Sequence, residues 1–207
     1  MYISCTYNDT LLIKLLYLLV LSDVSFPSLQ TERLTLRAYA LTDVPALVAL
    51  AGAREVAATT LRIPHPYSES DARDFVASAQ EDQVCGAGLH LAIVLRDSDM
   101  LCGGVGLRIE SEHRRAELGY WIGVPYWGNG YGTEAARALV RYGFETLGLR
   151  RIFACHFAGN LASARVLRKV GMRHEGRLRA HLQKWGEFID LEMYGVLESD
   201  AERTATT

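Results

Sequence analysis

The spacing of apolar and polar positions predicts a chain that alternates between strands and helices. In the stretch 33–39, Leu34, Leu36 and Ala38 alternate with polar residues, which is typical of a half-buried strand. The same reasoning, together with turn residues, predicts further strands at 90–95, 102–109, 116–122, 151–157, 173–182 and 188–197.

Four helices are predicted between these strands. Thr42 and Asp43 can cap the first, and Ser68 with Asp71 has the spacing of a capping box that opens a helix through about residue 83. A third helix is predicted over 133–146, and Asn160 is expected to cap the fourth, which runs through Val170. The buried stripe expected for the third helix consists of Ala136, Val140, Phe144 and Leu147.

This order predicts a mixed α/β protein, with one layer of sheet and helices on its faces. A length of 207 residues, with 49% hydrophobic and 22% charged residues, suits one globular domain. We place the domain at 29–198, after Pro27, and a polar tail at 199–207.

Residues 1–28 form an apolar extension whose run 11–21 is interrupted only by Lys14. The run is too short for a membrane span, and no basic segment or small-residue cleavage site gives it the character of a secretory signal. Three interpretations stay open, namely a short helix packed on the domain, an interfacial anchor, and translated sequence ahead of the true start. Membrane association is the less favoured expectation.

Charge and cysteine usage exclude several classes of function. A net charge of -2 provides no basic field for nonspecific nucleic-acid binding. Four scattered cysteines without a CxxC pair fit a reducing, cytoplasmic setting. The six histidines show no HExxH motif, so no metal site is expected.

The most informative segment is the glycine-rich loop 128–133, GNGYGT, between a predicted strand and a predicted helix. Glycine permits positive φ and close approach of a ligand, and free N–H groups at a helix N-terminus attract anions. A P-loop would need a lysine before Thr133, and a dinucleotide fingerprint would need its third glycine one position later. What remains is a loop that holds a diphosphate by its main chain, or a glycine-rich turn without a ligand.

At this point the sequence resembles the GNAT acyltransferase superfamily, and within it the RimJ/RimL-like N-acetyltransferases. The resemblance runs from about residue 30 to 197, and its specific stretches are AELGYWIGVPYWGNGYGTEA (116–135) and LGLRRIFACHFAGNLASARVLRKVGMRHEG (147–176). Trp127 stands where the superfamily loop begins with Gln or Arg. The resemblance implies a mostly antiparallel sheet that splays at the cofactor site, helices on both faces, and acetyl-CoA as acetyl donor without a metal.

The resemblance also implies which residues bind the cofactor. The end of the strand 116–122 would pair with the pantetheine arm, the glycine-rich loop would hold the pyrophosphate, and Asn160 would contact the arm. Asn160 could equally be a plain helix N-cap. The implied set is Ile122, Gly123, Val124, Gly128, Asn129, Gly130, Tyr131, Gly132, Thr133, Asn160 and Ser163.

For catalysis, the resemblance implies Ser163 beside the departing thiolate, because Leu167 occupies the position at which many superfamily members carry a tyrosine acid. Glu117 matches the glutamate that acts as base, although a salt-bridged carboxylate beside Arg115 is an equally simple interpretation. The weaker base candidates are Glu192 and His156.

The expected acceptor is a primary amine, most plausibly a protein N-terminal amine, attacked directly in a ternary complex. A small amine such as a polyamine or an aminoglycoside, and a CoA-binding module without catalysis, stay open as alternatives. The chain would act as a monomer or homodimer. Aromatic residues 120, 121, 126 and 127 could line the acceptor pocket or, more often in strands, the core. Arg165, Arg168 and Lys169 could meet the adenosine 3′-phosphate or form a solvated face.

Overall fold

A computed structural model describes residues 26–200, so the apolar run 11–21 and the end of the polar tail lie outside the described residues. The helices are α1 (Val44–Ala51), α2 (Arg54–Ala57), α3 (Glu69–Val84), α4 (Tyr131–Glu145) and α5 (Leu161–Lys169). The strands are β1 (Leu29–Gln30), β2 (Leu34–Ala38), β3 (Gly88–Leu95), β4 (Leu101–Glu110), β5 (Arg115–Ile122), β6 (Arg151–Phe157), β7 (Arg173–Lys184) and β8 (Glu187–Leu197).

The strands form one sheet in the order β1-β2-β3-β4-β5-β6-β8-β7. Among the described strands, every neighbouring pair is antiparallel except β5 and β6. Parallel neighbours need a crossover, and α4 provides it. The mostly antiparallel α/β sheet expected from the sequence is therefore confirmed.

Each face of the sheet is covered by its own helices. On β3, Leu91 and Ile93 pack into the core beneath α4 and α5, whereas Ala92 and Val94 pack into the core beneath α1 and α3. Alternation of side chains along a strand explains this division. Helices on both faces, as expected from the sequence, are confirmed.

Several local details differ from the sequence-based expectation. Strand β1 and helix α2 were not predicted, because each is too short to show a period. Asp43 does not cap α1 with its side chain, since that carboxylate accepts from the guanidinium of Arg37 and the amide of Ala40. Leu147 follows the end of α4 and is 37% exposed, so it is not part of the buried stripe.

Other local expectations are confirmed. Ser68 and Asp71 form the capping box of α3. Asn160 caps α5 by accepting from the amide of Ser163. No helix within residues 26–200 combines the length and apolar character needed to cross a bilayer.

A glycine in the central strand β4 makes room for two aromatic side chains beneath α1 and α3. A Cβ atom on Gly104 would lie 2.0 Å from the hydroxyl oxygen of Tyr39 and 2.5 Å from the indole nitrogen of Trp121. Gly119, on the neighbouring strand β5, has no atom within 4 Å of the corresponding position. The two glycines thus differ sharply in the space around them.

We expect Gly104→Ala to lower the free energy of unfolding by about 1–3 kcal/mol, because the added methyl group forces both aromatic rings to move. The matched control Gly119→Ala should change it by less than about 0.5 kcal/mol. Urea unfolding followed by tryptophan fluorescence measures both variants. Equal losses in the two variants would contradict this account of the packing.

Candidate active site

The only parallel strand pair among the described residues opens into a gap. β5 and β6 pair from Arg115 opposite Arg151 as far as Glu117 opposite Phe153, and then separate. β6 stays paired with β8 along its whole length, so it diverges from β5. The splay expected from the sequence is confirmed, and it leaves two strand edges facing each other without a strand between them.

Main-chain groups on the β5 side of the gap are partly engaged. The amide of Gly123 donates to the carbonyl of Cys102 on β4, so it points away from the gap. Successive residues of a strand direct their polar groups to opposite sides, which turns those of Tyr120 and Ile122 towards the gap. The carbonyl of Ile122 accepts from the indole of Trp127 at 2.7 Å. Val124, predicted to belong to the same strand edge, starts a 3₁₀ turn instead.

The glycine-rich loop follows this turn and ends at the N-terminus of α4. Gly128 and Gly130 have φ values of 80° and 84°, in the left-handed region that favours glycine. Helix α4 begins at Tyr131, so the last three residues of the predicted loop form the first helical turn. The amide of Thr133 donates to the carbonyl of Gly130, whereas those of residues 128–132 have no acceptor within residues 26–200.

A cavity lined by charged side chains opens beside this helix terminus. Its volume is about 380 Å³, and three basic residues, two acidic residues and two loop residues line it: Arg33, Arg137, Lys169, Glu32, Glu134, Gly130 and Thr133. Arg33 donates to the carbonyl of Asn129 at 3.0 Å and forms an ion pair with Glu134 at 2.6 Å. Amides at a helix N-terminus and guanidinium groups are donors that suit phosphate groups, so this terminus is a candidate anion site.

Two hydroxyl groups meet on the side of the sheet that carries α4 and α5. The hydroxyl oxygen of Tyr120 lies 2.7 Å from Oγ of Ser163, and the amide of Ser163 donates to Oδ1 of Asn160 at 3.0 Å. Burial raises the pKa of Tyr120 to about 12, against a smaller opposing effect of its hydrogen bond with Ser163. Tyr120 is therefore protonated at neutral pH and can donate a hydrogen bond.

Glu117 lies on the opposite face, at the point where the two strands separate. Its Oε2 atom contacts the guanidinium groups of Arg108 at 2.5 Å and Arg62 at 3.3 Å, while Oε1 has no hydrogen-bond partner within residues 26–200. The expected salt-bridged environment is thus present but with other partners, since Arg115 pairs with Glu110. One quarter of the Glu117 side chain is exposed, so solvent reaches it.

The weaker base candidates lie in different environments. Glu192 is buried and accepts from His174 at 2.6 Å and from Arg177, and these hydrogen bonds, that of His174 first, hold the pKa of this carboxyl below its usual value. His156 is buried, with Nδ1 against the carbonyl of Phe157 at 2.8 Å. Glu192 is therefore occupied by ion pairs, whereas Nε2 of His156 is buried and has no hydrogen-bond partner within residues 26–200.

The remaining candidates divide between the core and the surface. Tyr120 and Tyr126 pack against the core beneath α4 and α5, and Trp121 packs against the other core, whereas Trp127 is 48% exposed. Arg165, Arg168 and Lys169 are all exposed. Arg168 donates to the hydroxyl of Tyr194 at 3.3 Å, and Lys169 lines the cavity beside α4.

Sequence reasoning did not find every member of the site. Arg33 lies in the predicted strand 33–39 and Arg137 in the predicted helix 133–146, and nothing in either segment points to an anion. Tyr120 shares the strand face of Leu118, which identifies the helices it packs under but not its contact with Ser163. No group of three or more metal-binding side chains occurs in the part of the chain that the structure describes.

Comparisons with known proteins agree with this geometry. Residues 33–173 match the model of the acetyltransferase (GNAT) domain family. The chain is 35% identical over 178 residues to the uncharacterized N-acetyltransferase YoaA of Bacillus subtilis, covering 84% of this chain and 98% of YoaA.

Solved structures show the same architecture. A GNAT-family acetyltransferase from Bacillus anthracis superposes with a TM-score of 0.76 at 26% identity, over 84% of this chain and 99% of that one. RimL, the ribosomal L7/L12 alpha-N-protein acetyltransferase, in complex with coenzyme A, superposes with a TM-score of 0.76 at 22% identity. The superposition covers 83% of this chain and 98% of RimL. The fold, the open strand pair and the family match together show that this chain belongs to the GNAT acetyltransferases, enzymes that use acetyl-CoA as acetyl donor.

Proposed function

We propose that this enzyme transfers the acetyl group of acetyl-CoA to the N-terminal α-amine of a protein or peptide, by direct attack in a ternary complex. The observation that carries the proposal is the gap between β5 and β6, which has a hydroxyl pair on one face and the Glu117 carboxylate on the other. The donor and the acceptor can therefore approach one reaction centre from opposite sides. A cytoplasmic setting is part of this proposal and follows from the cysteine usage.

The residues present fit the donor. Five amides of residues 128–132 have no acceptor of their own, and a side chain on Gly130 would project towards Arg33, with its Cβ 3.5 Å from the guanidinium. These amides would hold the diphosphate, and the cationic cavity with Arg137 and Lys169 would take the remaining phosphate. The main chain of Tyr120 would face the pantetheine arm.

A carboxylate placed in the anion site should prevent donor binding. We expect Gly130→Glu to weaken CoA binding by at least about 100-fold, because its negative charge competes for the same amides and cations. The control Gly130→Ala imposes the same strain at positive φ without a charge, and should weaken binding by less than about tenfold. Isothermal calorimetry with CoA measures both, and unchanged affinity in Gly130→Glu would contradict the assignment.

The hydroxyl pair of Tyr120 and Ser163 would stabilise the leaving group. Acetyl-CoA supplies a thioester whose carbonyl carbon an amine attacks, with release of the CoA thiolate. Ser163 would donate a hydrogen bond to the departing sulfur, and Tyr120, protonated at neutral pH, would donate in turn to Ser163. A thiol with a pKa near 8.5 needs only this modest stabilisation.

We expect Ser163→Ala to lower kcat by about 10- to 100-fold and Tyr120→Phe by about tenfold, with the KM for acetyl-CoA changed less than about threefold. Asn160 caps the amide of residue 163, so the alanine variant keeps its helix cap. The double variant should be no slower than Ser163→Ala, because the two hydroxyls act as one unit. Steady-state kinetics tests this, and wild-type turnover in either variant removes that residue from the mechanism.

The environment of Glu117 favours an α-amine over other amines. An amine with a pKa near 8 is neutral about one time in ten at pH 7, whereas a lysine amine is neutral roughly once in 2,500. A carboxylate is a weak base, sufficient to accept a proton through water from the more acidic α-ammonium. Arg62 and Arg108 would also repel a polycation, which disfavours polyamines and aminoglycosides.

The cysteine at the gap supports direct transfer. Cys155 lies on β6, beyond its last pairing with β5, and burial raises the pKa of this thiol to about 11. The thiol is therefore protonated at neutral pH and is a poor nucleophile. RimL, which acts on a ribosomal protein N-terminus according to its description, adds support at the level of fold.

The decisive experiment measures thiol release from acetyl-CoA with a panel of acceptors. We expect peptides with a free α-amine to be acetylated, and the same peptides with a blocked N-terminus and an internal lysine to be inert. Spermidine and kanamycin should also be inert, and Glu117→Gln should lower turnover of the active peptides by about 100-fold. Preferential turnover of a polyamine or aminoglycoside would overturn the acceptor class, and CoA binding without any turnover would indicate a binding module.

A further inference from the structure

A buried lysine joins two segments on the Glu117 side of the sheet. The ammonium nitrogen of Lys184, at the end of β7, donates to the carbonyls of Thr60 at 2.7 Å, Ile63 at 3.2 Å and Leu61 at 3.4 Å. The residue is only 9% exposed, and within residues 26–200 it forms no ion pair. Three main-chain oxygens therefore replace the water that the ammonium loses.

Burying an ammonium group lowers stability unless each of its N–H donors finds an acceptor. Burial lowers the pKa of Lys184, since the charged form is separated from water. An apolar side chain could join the same two segments without that cost, but it could not orient carbonyl groups. Three acceptors within four consecutive residues instead determine the direction of the main chain on both sides of Arg62.

Arg62 is the residue that this main chain presents to the catalytic region. Its guanidinium lies 3.3 Å from Oε2 of Glu117, while 59% of its side chain stays exposed. The loop 60–63 and the tip of the β7–β8 hairpin thus meet beside the candidate base. A chain of contacts runs from Lys184 through the loop 60–63 and Arg62 to Glu117.

The tip of the β7–β8 hairpin, at Trp185, makes further contacts with this region and leaves aromatic side chains exposed to solvent. The Trp185 ring lies 5.4 Å from the guanidinium of Arg54 on α2 and 6.2 Å from the ring of His65. Trp185 is 50% exposed, and Phe188 on the same hairpin is 70% exposed. Exposed aromatic rings next to an exposed guanidinium are typical of a surface that binds a peptide chain.

We propose that Lys184 is a positioning residue for the acceptor: it holds the loop 60–63 so that Arg62 lies beside Glu117 and completes the acceptor side of the gap. The inference rests on the proposed function only in placing the acceptor on the Glu117 face. The donor is held on the other face, by α4 and its loop, so Lys184 should not affect it.

The test compares three variants of the full chain, Lys184→Met, Arg62→Gln and the control Arg179→Met. Methionine keeps the length of the lysine side chain without its hydrogen bonds. Arg179 is exposed on the same strand β7, and within residues 26–200 no hydrogen bond or ion pair joins it to the loop 60–63. Amide hydrogen exchange is measured over residues 58–66, and KM is measured for acetyl-CoA and for the best acceptor of the panel.

We expect Lys184→Met to speed exchange in residues 58–66 by at least about tenfold and to raise the acceptor KM by about tenfold, with the KM for acetyl-CoA changed less than twofold. Arg62→Gln should raise the acceptor KM to a similar extent while exchange stays at the wild-type level. Arg179→Met should match the wild type in both measurements.

Faster exchange in Lys184→Met with an unchanged acceptor KM would show that Lys184 has a purely structural role, and would overturn the proposal. Unchanged exchange in this variant would also overturn it, because Lys184 would then not hold the loop 60–63. If Lys184→Met does not fold, Arg62→Gln decides, because an unaltered acceptor KM in that variant removes Arg62 from the acceptor site. The kinetic test uses whichever amine is turned over. Turnover of a small-molecule amine would therefore overturn the acceptor class proposed above. The KM values of the variants could still be compared with that amine as acceptor.

Discussion

The whole site depends on one interruption of main-chain hydrogen bonding. β5 and β6 pair over three residues and separate after Glu117 and Phe153, because β6 remains paired with β8 along its length. Polar main-chain groups inside a protein are almost always paired, so an open pair of strand edges is costly unless a ligand or water completes it. We propose that donor and acceptor meet in this opening.

The crossover that makes these strands parallel also supplies the anion site. Helix α4 must begin above the ends of β5 and β6, so its N-terminus lies beside the gap. The left-handed conformations of Gly128 and Gly130 turn the preceding amides towards the same point as the helix dipole. One topological feature therefore supports both proposed roles of this region, recognition of a diphosphate and access to the reaction centre.

Alternation along β5 then places the residues proposed for the two halves of the reaction on opposite faces. Tyr120 and Glu117 lie three residues apart and so on opposite faces of the sheet. The face with Tyr120 meets Ser163 on α5, and the face with Glu117 meets Arg62 and the hairpin tip joined by Lys184. On the donor side Arg33 meets Asn129, 96 residues away, and on the acceptor side Lys184 meets Ile63, 121 residues away.

The sequence by itself determined the features that depend on local order. Alternation in the β strands, the Ser68–Asp71 capping box, the cap at Asn160 and the glycines of the loop all have local physical causes, and they agree with the structure. The separation of β5 and β6 and the role of acetyl-CoA were predicted from the family resemblance, not from the local pattern. Where a pattern was too short, as in α2, or a side chain had a better partner elsewhere, as in Asp43, local reasoning was incomplete or wrong.

Only the tertiary structure decided which distant side chains meet. Local sequence gives no signal for three of these contacts. They are the contact of Tyr120 with Ser163, the pairing of Glu117 with Arg62 and Arg108, and the position of Arg33 beside Gly130. Lys184 lies between the predicted strands 173–182 and 188–197, and its contact with the loop 60–63 exists only because β7 ends beside that loop. Local conformation follows from the energetics of neighbouring residues, whereas these contacts follow from strand order and helix placement, which the whole chain decides together.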